Sequence, residues 1–406
     1  MPRLRRARVA LLLATSSLAA AEPAAPDAMT SSANAFAAAL YGDLRSRSGN
    51  IAVSPASLWL ALLMTRAGAR GSTGDEMSRV LHVQANGDVD AKAAALLDRW
   101  GKPVGGVELR VANRLFGEKT YRFEAPYLER TRTAYGAPLE PVDFRGDANG
   151  ARTHINGWVA TQTRDRIKDL LPAGSVDDQT RLVLTNAVYF LAKWEEPFEK
   201  TATNPAPFKV GGGRTVTVPT MHAVGFFSYA ETDSLQVLEK PYQGGEFAMG
   251  FVLPKDDAGL GAVEGSLDAA AVDRLFASLS SERVSVSLPK VRIDPPESLA
   301  VGDALARLGM PTALDRRRAD FTGIANPPDP DDRLFVSKVF HKAFVAIDEE
   351  GTEAAAASAV VMARAGSAAP SKLVVFNADH PFLFFLRDLR SGLILFAGRV
   401  ADPSGS

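Results

Sequence analysis

Between Ile347 and Gly366 the sequence changes character in a way that few folds accommodate: Ile-Asp-Glu-Glu-Gly-Thr-Glu-Ala-Ala-Ala-Ala-Ser-Ala-Val-Val-Met-Ala-Arg-Ala-Gly. The run before it, residues 335–347, is rich in β-branched and aromatic side chains and predicts a buried strand. Glu349 and Glu350 end the apolar run, and Gly351 frees the backbone where the small residues begin. As a strand, the small-residue segment has a clean parity. Thr352, Ala354, Ala356, Ser358, Val360 and Met362 share one face, while Glu353, Ala355, Ala357, Ala359 and Val361 share the other. The first face carries no charge and the second only Glu353, so the stretch can slide between two existing strands at little steric or desolvation cost. An Ala-rich run after Glu is also a good helix former, with Gly366 as its stop. Both readings stand, as different states of one molecule.

The segment Glu349, Glu350, Gly351, Thr352, Glu353, Ala354, Ala355, Ala356, Ala357 and Ser358 resembles the hinge of the reactive-centre loop of serpins. Phe376-Asn-Ala-Asp-His-Pro-Phe382 resembles the strand that follows that loop. Upstream, Asn50-Ile-Ala-Val-Ser-Pro-Ala-Ser57 is similar to the start of the family's buried second helix. Ile155-Asn-Gly-Trp-Val159 through Ile167-Lys-Asp-Leu-Leu-Pro172 looks like its sheet-spanning helix, and Thr185-Asn-Ala-Val-Tyr-Phe-Leu-Ala-Lys-Trp194 like the strand beneath it. The resemblance extends over nearly all of the chain after the first 21 residues. It implies an α+β, serpin-like fold with three β-sheets, about eight or nine helices and an exposed reactive-centre loop at about 349–370. It also implies a suicide inhibitor of serine proteases: the protease attacks the loop, an acyl-enzyme forms, and the loop inserts into the main sheet before deacylation.

The same resemblance implies particular roles. Ser54, Ser57, Asn186 and His341 match the polar shutter where the central strands part. A buried polar cluster suits a gate, because it holds one pairing only while every member is satisfied. Ser54 before Pro55 also reads as a plain helix N-cap. Trp194 and Lys290 match the breach where the loop first enters the sheet, with Glu349 placed to pair with Lys290. The family's usual count of seventeen residues from Glu349 puts the reactive bond at Ala365–Gly366, which suits an elastase-like or subtilisin-like protease. The competitor is Arg364–Ala365, which suits a trypsin-like one.

At 406 residues, length alone suggests two or three domains. No linker, repeat or charge block divides the chain, so the resemblance favours one domain over 22–406. Residues 1–21 read as a secretory signal: Arg3, Arg5, Arg6 and Arg8, then a mostly apolar run, then Ala19-Ala20-Ala21. This predicts a secreted or periplasmic protein, free of the membrane once the signal is cut. The segment holds four positive and no negative charges, so removing it takes the net charge from −1 to −5. No basic cluster for nucleic acid remains. An excess of Arg over Lys hints at a GC-rich bacterial genome. The chain is expected to be a monomer.

There is no cysteine, which excludes disulfides, thiolate catalysis and Cys-based metal sites. Enzyme signatures are absent: no G-x-S-x-G elbow, no H-E-x-x-H, no P-loop and no dinucleotide fingerprint. Catalysis by a shutter Ser/His pair, as in a serine hydrolase, is a distant alternative; a non-inhibitory serpin acting as carrier, chaperone or storage protein is the nearer one. No catalytic residue, metal or cofactor is expected. Elsewhere, periodicity predicts helices over 32–44, 55–64, 123–135, 154–171 and 299–308, and strands over 107–111, 182–190, 215–221, 247–253, 284–288, 373–376, 382–386 and 393–400. Thr73 with Glu76 reads as a capping box. Strands without regular βαβ alternation favour α+β.

Overall fold

A computed structural model describes residues 27–84, 87–102, 105–352 and 372–405. The first helix, α1 (Ala28–Leu44), is capped by Asp27, whose carboxylate accepts from the Thr30 N–H at 2.7 Å. Strand β1 (Ile51–Val53) leads into α2 (Pro55–Ala67), where the Ser54 hydroxyl accepts from the Ser57 N–H and Pro55 occupies the first turn. Trp59, Leu60, Leu63 and Met64 of α2 are all but fully buried. Each such side chain contributes about 1.5–3 kcal/mol of burial, and together they make α2 the spine of the core.

Helices α3 (Gly71–Val80) and α4 (Val89–Trp100) precede β2 (Glu108–Glu118), α5 (Ala125–Tyr135), β3 (Leu139–Val142), α6 (Phe144–Gln162) and β4 (Leu182–Lys193). Next come β5 (Asn204–Lys209), β6 (Thr215–Glu231), β7 (Leu235–Pro241), β8 (Phe247–Pro254), α7 (Leu260–Ser266), α8 (Ala269–Ala277), β9 (Ser280–Pro289), β10 (Val291–Ile293) and β11 (Leu299–Ala300). Helices α9 (Gly302–Leu308) and α10 (Pro311–Leu314) lead to the short strands β12 (Phe340–His341), β13 (Val345–Ile347) and β14 (Gly351–Thr352). β15 (Val374–Asn377), β16 (Phe382–Asp388) and β17 (Ile394–Val400) close the chain.

The described strands form three sheets. The largest runs β1-β17-β16-β8-β7-β6-β9-β15, with β5 on β6. The second runs β10-β13-β14-β4-β2-β3, and β11 pairs with β12 as the third. Ten α-helices are present among the described residues. This is the α+β architecture implied by the resemblance. No helix among those residues is long and apolar enough to cross a membrane.

Three local expectations fail for physical reasons. The helix expected over 154–171 ends at Gln162, because Arg164 and Asp165 adopt left-handed backbone (φ 49° and 61°). The irregular segment beyond it is tied down by Asn156, which accepts from the Leu171 N–H and donates to the Leu171 carbonyl. The capping box does not form. Thr73 instead accepts from the Asp320 N–H, and the Glu76 carboxylate takes the N–H and hydroxyl of Thr312. Finally, the strand expected over 335–347 survives only as β12 and β13. Its β propensity is genuine, but a strand needs a ladder partner. Among the described residues, β4 pairs with β2 along Leu182–Leu191 on one side; on the other it pairs only with β14, at Ala192 and Lys193.

Candidate functional site: a slot in the six-stranded sheet

The opening lies between β4 and the segment 334–347. It contains a cavity of about 340 Å³ bordered by Leu182–Asn186 on one side and Leu334–His341 on the other, with Ser57, Leu58, Ala61 and Leu62 of α2 beneath. Helix α6 packs on this sheet; Phe144 and Ile155 are buried with Phe116 of β2 and Leu171, and Trp158 and Phe340 pack against them.

The top of the opening is occupied by Gly351 and Thr352, two residues of the segment that the resemblance matched to a hinge. Gly351 pairs with Lys193 and Thr352 with Ala192 on one side, and Thr352 with Ile347 on the other. Asp348 makes the turn: its carboxylate accepts from the Glu350 and Gly351 N–H groups at 2.8 and 3.1 Å. Gly351 is required by close approach. A Cβ there would lie 2.0 Å from the Ala192 carbonyl oxygen and 2.8 Å from Lys193 Cα. Thr352 is buried, and its hydroxyl bonds to that of Tyr242.

Tyr242 stacks on Trp194 with ring centroids 4.4 Å apart and planes 12° from parallel. Trp194 donates from Nε1 to the Asp348 carbonyl at 2.9 Å, and its own N–H donates to the Glu350 carbonyl at 2.8 Å. Glu349 bonds Lys290 Nζ at 2.8 Å and accepts from the Thr203 hydroxyl at 2.9 Å. Burial alone would raise the Glu349 pKa, but these hydrogen bonds outweigh it and hold the carboxyl below its ordinary value. Glu350 accepts from Lys200 Nζ at 2.6 Å. The expected Glu349–Lys290 pair therefore forms. Since the Lys290 side chain is 41 % exposed, the pair contributes about 0–1 kcal/mol; it orients the turn more than it stabilises the fold.

Beneath Trp194 sits Lys240, buried, with its ammonium 5.5, 4.6 and 5.3 Å from the ring centroids of Trp194, Phe198 and Phe227. It donates to the Glu196 carbonyl at 2.5 Å. Burial pulls its pKa down to about 8, only partly offset by Glu196 and Glu195.

Lower in the slot lie the four residues that the resemblance matched to a shutter, Ser54, Ser57, Asn186 and His341. The Ser54 N–H donates to His341 Nε2 at 2.9 Å, and the Ser54 hydroxyl donates to the Leu395 carbonyl at 2.8 Å. Ser57 Oγ bonds the Asn186 side-chain carbonyl, and Asn186 Nδ2 donates to Asn113 Oδ1 at 2.5 Å. Asn113 Nδ2 ends the chain on the Tyr135 carbonyl at 2.7 Å. The relay thus links β12, α2, β4, β2 and α5. Ser54 is at once N-cap and relay member. Because Nε2 accepts, Nδ1 carries the ring proton. Burial pushes the His341 pKa down to about 4.

Glu353, Ala354, Ala355, Ala356, Ala357 and Ser358, together with the bonds Ala365–Gly366 and Arg364–Ala365, lie outside the described residues. Sequence reasoning missed Asn113, Lys240, Tyr242 and Asp348. Only Asp348 carried a local signal, an Asp three residues before a Gly.

A family model described as "Serpin (serine protease inhibitor)" matches residues 31–403. The chain belongs to the serpin family. It is 40% identical over 387 residues to leukocyte elastase inhibitor A of Rattus norvegicus, covering 92% of this chain and 99% of the rat protein. An uncharacterized serpin-like protein of Thermococcus kodakarensis is 39% identical over 374 residues, covering 91% and 84% of the two chains. Among solved structures, Serpin48 of the insect Tenebrio molitor superposes with a TM-score of 0.79 at 30% identity, covering 92% of this chain and 98% of its own. Serpins are protease inhibitors and not enzymes, and this serpin is read accordingly.

The secreted or periplasmic location expected from residues 1–21 is corrected by these relatives. The leukocyte elastase inhibitors are intracellular serpins that lack a signal peptide. A basic, apolar N-terminal stretch is a matter of composition and does not by itself specify export.

Proposed function

We propose that this serpin inhibits its target by serving as a suicide substrate, with the slot between β4 and β13 receiving the cleaved loop. The observation that carries the reading is the position of β14, two hinge residues already paired on both sides at the top of an opening that continues downward. Extending that strand from Thr352 through Ala365 would add roughly 45 Å. The face led by Thr352 continues as Ala354, Ala356, Ser358, Val360 and Met362, so it enters the sheet with no charge to desolvate. Ser54, Ser57, Asn186 and His341 act as the shutter, and Trp194 and Lys290 as the breach, in a single unit over 22–406 whose loop spans about 349–370. The protein acts as a monomer, and its arginine-rich composition supports a bacterial-type member.

The favoured reactive bond is Ala365–Gly366, with Arg364–Ala365 as the competitor. A small residue before the bond suits an elastase-like or subtilisin-like protease, and the names of the rat and human relatives point the same way. The purified protein is to be incubated with elastase-like, subtilisin-like and trypsin-like proteases. The expected result is a band larger than either partner that survives boiling in detergent, and cleavage of the loop should raise the melting temperature sharply. A clean cut with no such band and no change in melting would favour a non-inhibitory role. A carrier role has a parallel in thyroxine-binding globulin in complex with thyroxine, which superposes with a TM-score of 0.80 at 26% identity.

A further inference from the structure

The segment from Phe376 to Phe382 carries a histidine that the inhibitory reading does not use. His380 lies in the link between β15 and β16 and is 5 % exposed. Its Nε2 stands 2.8 Å from the carbonyl oxygen of Pro254, the last residue of β8. A carbonyl oxygen only accepts, so Nε2 carries a proton and donates it. In the neutral ring Nδ1 is then a bare lone pair. It meets two carboxylate oxygens, Asp379 Oδ1 at 2.8 Å and Asp257 Oδ1 at 3.5 Å. Among the described residues, these three side chains form a group whose potential ligand atoms all lie within 4.8 Å of one another. Acceptors that converge in this way need a cation between them. A proton on Nδ1 bridges to one carboxylate; a metal ion takes all three atoms. Lys209, the last residue of β5, approaches from behind. It donates to the far oxygen of Asp257, Oδ2, at 2.6 Å and stands 3.8 Å from Asp379 Oδ2.

We infer that Asp257, Asp379 and His380 bind one divalent cation of borderline hardness, with zinc the best fit. One imidazole nitrogen and two carboxylate oxygens make a donor set that zinc accepts. Ligands about 2.0–2.1 Å from a tetrahedral zinc stand about 3.3 Å apart. That value falls between the two separations from Nδ1, 2.8 and 3.5 Å. The bond from Nε2 to the Pro254 carbonyl is the outer support that a metal-ligating histidine commonly has: it fixes the tautomer and aims Nδ1 inward. Asp257 leaves a way in, since its side chain is 52 % exposed, and the fourth position is open to water on that side. The Lys209 ammonium opposes the ion's charge and tempers the affinity without occupying the Oδ1 atoms. A bound ion joins the β8–α7 turn to the β15–β16 link, two residues beyond the end of β15. It therefore fastens β15, which lies at the edge of the large sheet and pairs there with β9. The site is independent of the inhibitory reading and stands or falls without it.

The test is calorimetric titration of the tag-free, chelator-treated protein with zinc chloride at neutral pH, alongside melting curves with and without zinc. The unaltered protein should take up one zinc per chain at micromolar concentrations and melt at a higher temperature with the metal, because an ion that binds only the folded state stabilises it. Asp257→Asn changes a half-exposed side chain and should leave the metal-free melting curve as it is, while weakening zinc binding about tenfold or more. His380→Gln should abolish the binding, and Asp257→Asn carries the test should that variant fail to fold. Lys209→Met keeps the aliphatic stem, removes the opposing charge and should tighten binding severalfold. No uptake of zinc by the unaltered protein overturns the proposal and assigns the cation between these groups to a proton. Uptake that is the same in Asp257→Asn as in the unaltered protein places the metal elsewhere, for instance at His154 with Glu140, and also overturns it. Neither result touches the formation of a detergent-stable complex with a protease, which tests the inhibitory reading separately.

Discussion

The ring of His341 accepts a hydrogen bond from the backbone N–H of Ser54 at 2.9 Å, across 287 residues of chain. That bond exists only while Nε2 is unprotonated, so it requires a neutral histidine. Its folded pKa of about 4 lies below the ordinary 6.5, and the unfolded chain therefore binds more protons between those values. Stability from this site is complete above about pH 6.5 and is lost as pH falls toward 4. The difference corresponds to roughly 3 kcal/mol. Urea unfolding at pH 7 and 4.5 should show His341→Asn losing less stability than the unaltered protein over this interval, since carboxylate effects are common to both. Equal losses would remove His341 as the acid-sensitive element.

Lys240 predicts the opposite kind of substitution effect. Its folded pKa of about 8 stands below the ordinary 10.5, so the buried charge costs stability at neutral pH. The cost is relieved as pH rises from about 8 to 10.5. Lys240→Met keeps the stem among Trp194, Phe198 and Phe227 and removes the charge. It should raise the melting temperature at pH 7 and flatten the rise expected of the unaltered protein between pH 8 and 10. A drop at pH 7 would show that the aromatic rings and the Glu196 carbonyl more than offset burial.

Gly351→Ala should unseat the hinge. The added Cβ meets backbone atoms of Ala192 and Lys193, which have no side-chain freedom with which to yield. A forced shift of this kind costs about 1–3 kcal/mol. Because Trp194 bonds the carbonyls of Asp348 and Glu350, its fluorescence should change with the same substitution. A variant with an unaltered spectrum and melting curve would mean that β14 is not seated between β13 and β4.

The legible part of this molecule is the part written in local pattern. The Ser54-Pro55 cap and the continuous apolar run of β4 both express themselves within a few residues. The relay from His341 to Tyr135 does not. Asn113 has no local signature, since its role comes from facing Asn186 across the β2–β4 ladder. Tyr242 and Lys240 matter because β7 and its turn pass under Trp194. Residues 335–347 were misread for a related reason. Side chains decide whether a strand is favoured, but the neighbouring backbone decides whether it forms, and here that neighbour is an opening.

Thr352→Arg tests the inserting face at its first residue. Thr352 is buried against Tyr242, and an arginine in its place must either drag a charge into that pocket or leave the slot. An uncompensated buried charge is too costly to hold, so the hinge should withdraw. The protease should still cut the loop while the detergent-stable complex disappears, turning an inhibitor into a substrate. An undiminished yield of complex would count against insertion as the trapping step.

The position of the cut is the last prediction, and it sets two rules against each other. The family count from Glu349 reaches Ala365 as its seventeenth residue and puts the bond at Ala365–Gly366; Arg364, the sixteenth, is the only basic residue between Lys342 and Lys372. A protease with an acidic pocket chooses Arg364, whereas one with a shallow apolar pocket chooses Ala365. Strand parity does not separate them, because Arg364 falls on the Thr352 face but near enough to the end of the inserted strand to stay solvated. The count is the stronger guide, since in the proposed mechanism the number of inserted residues would fix how far the protease is carried. The mass of the C-terminal peptide released from the complex reads the answer directly. A peptide starting at Gly366 is expected; one starting at Ala365 would assign the bond to Arg364 and a trypsin-like target. Cleavage confined to positions before Val361 would leave too short a strand to carry the protease away, and would contradict both.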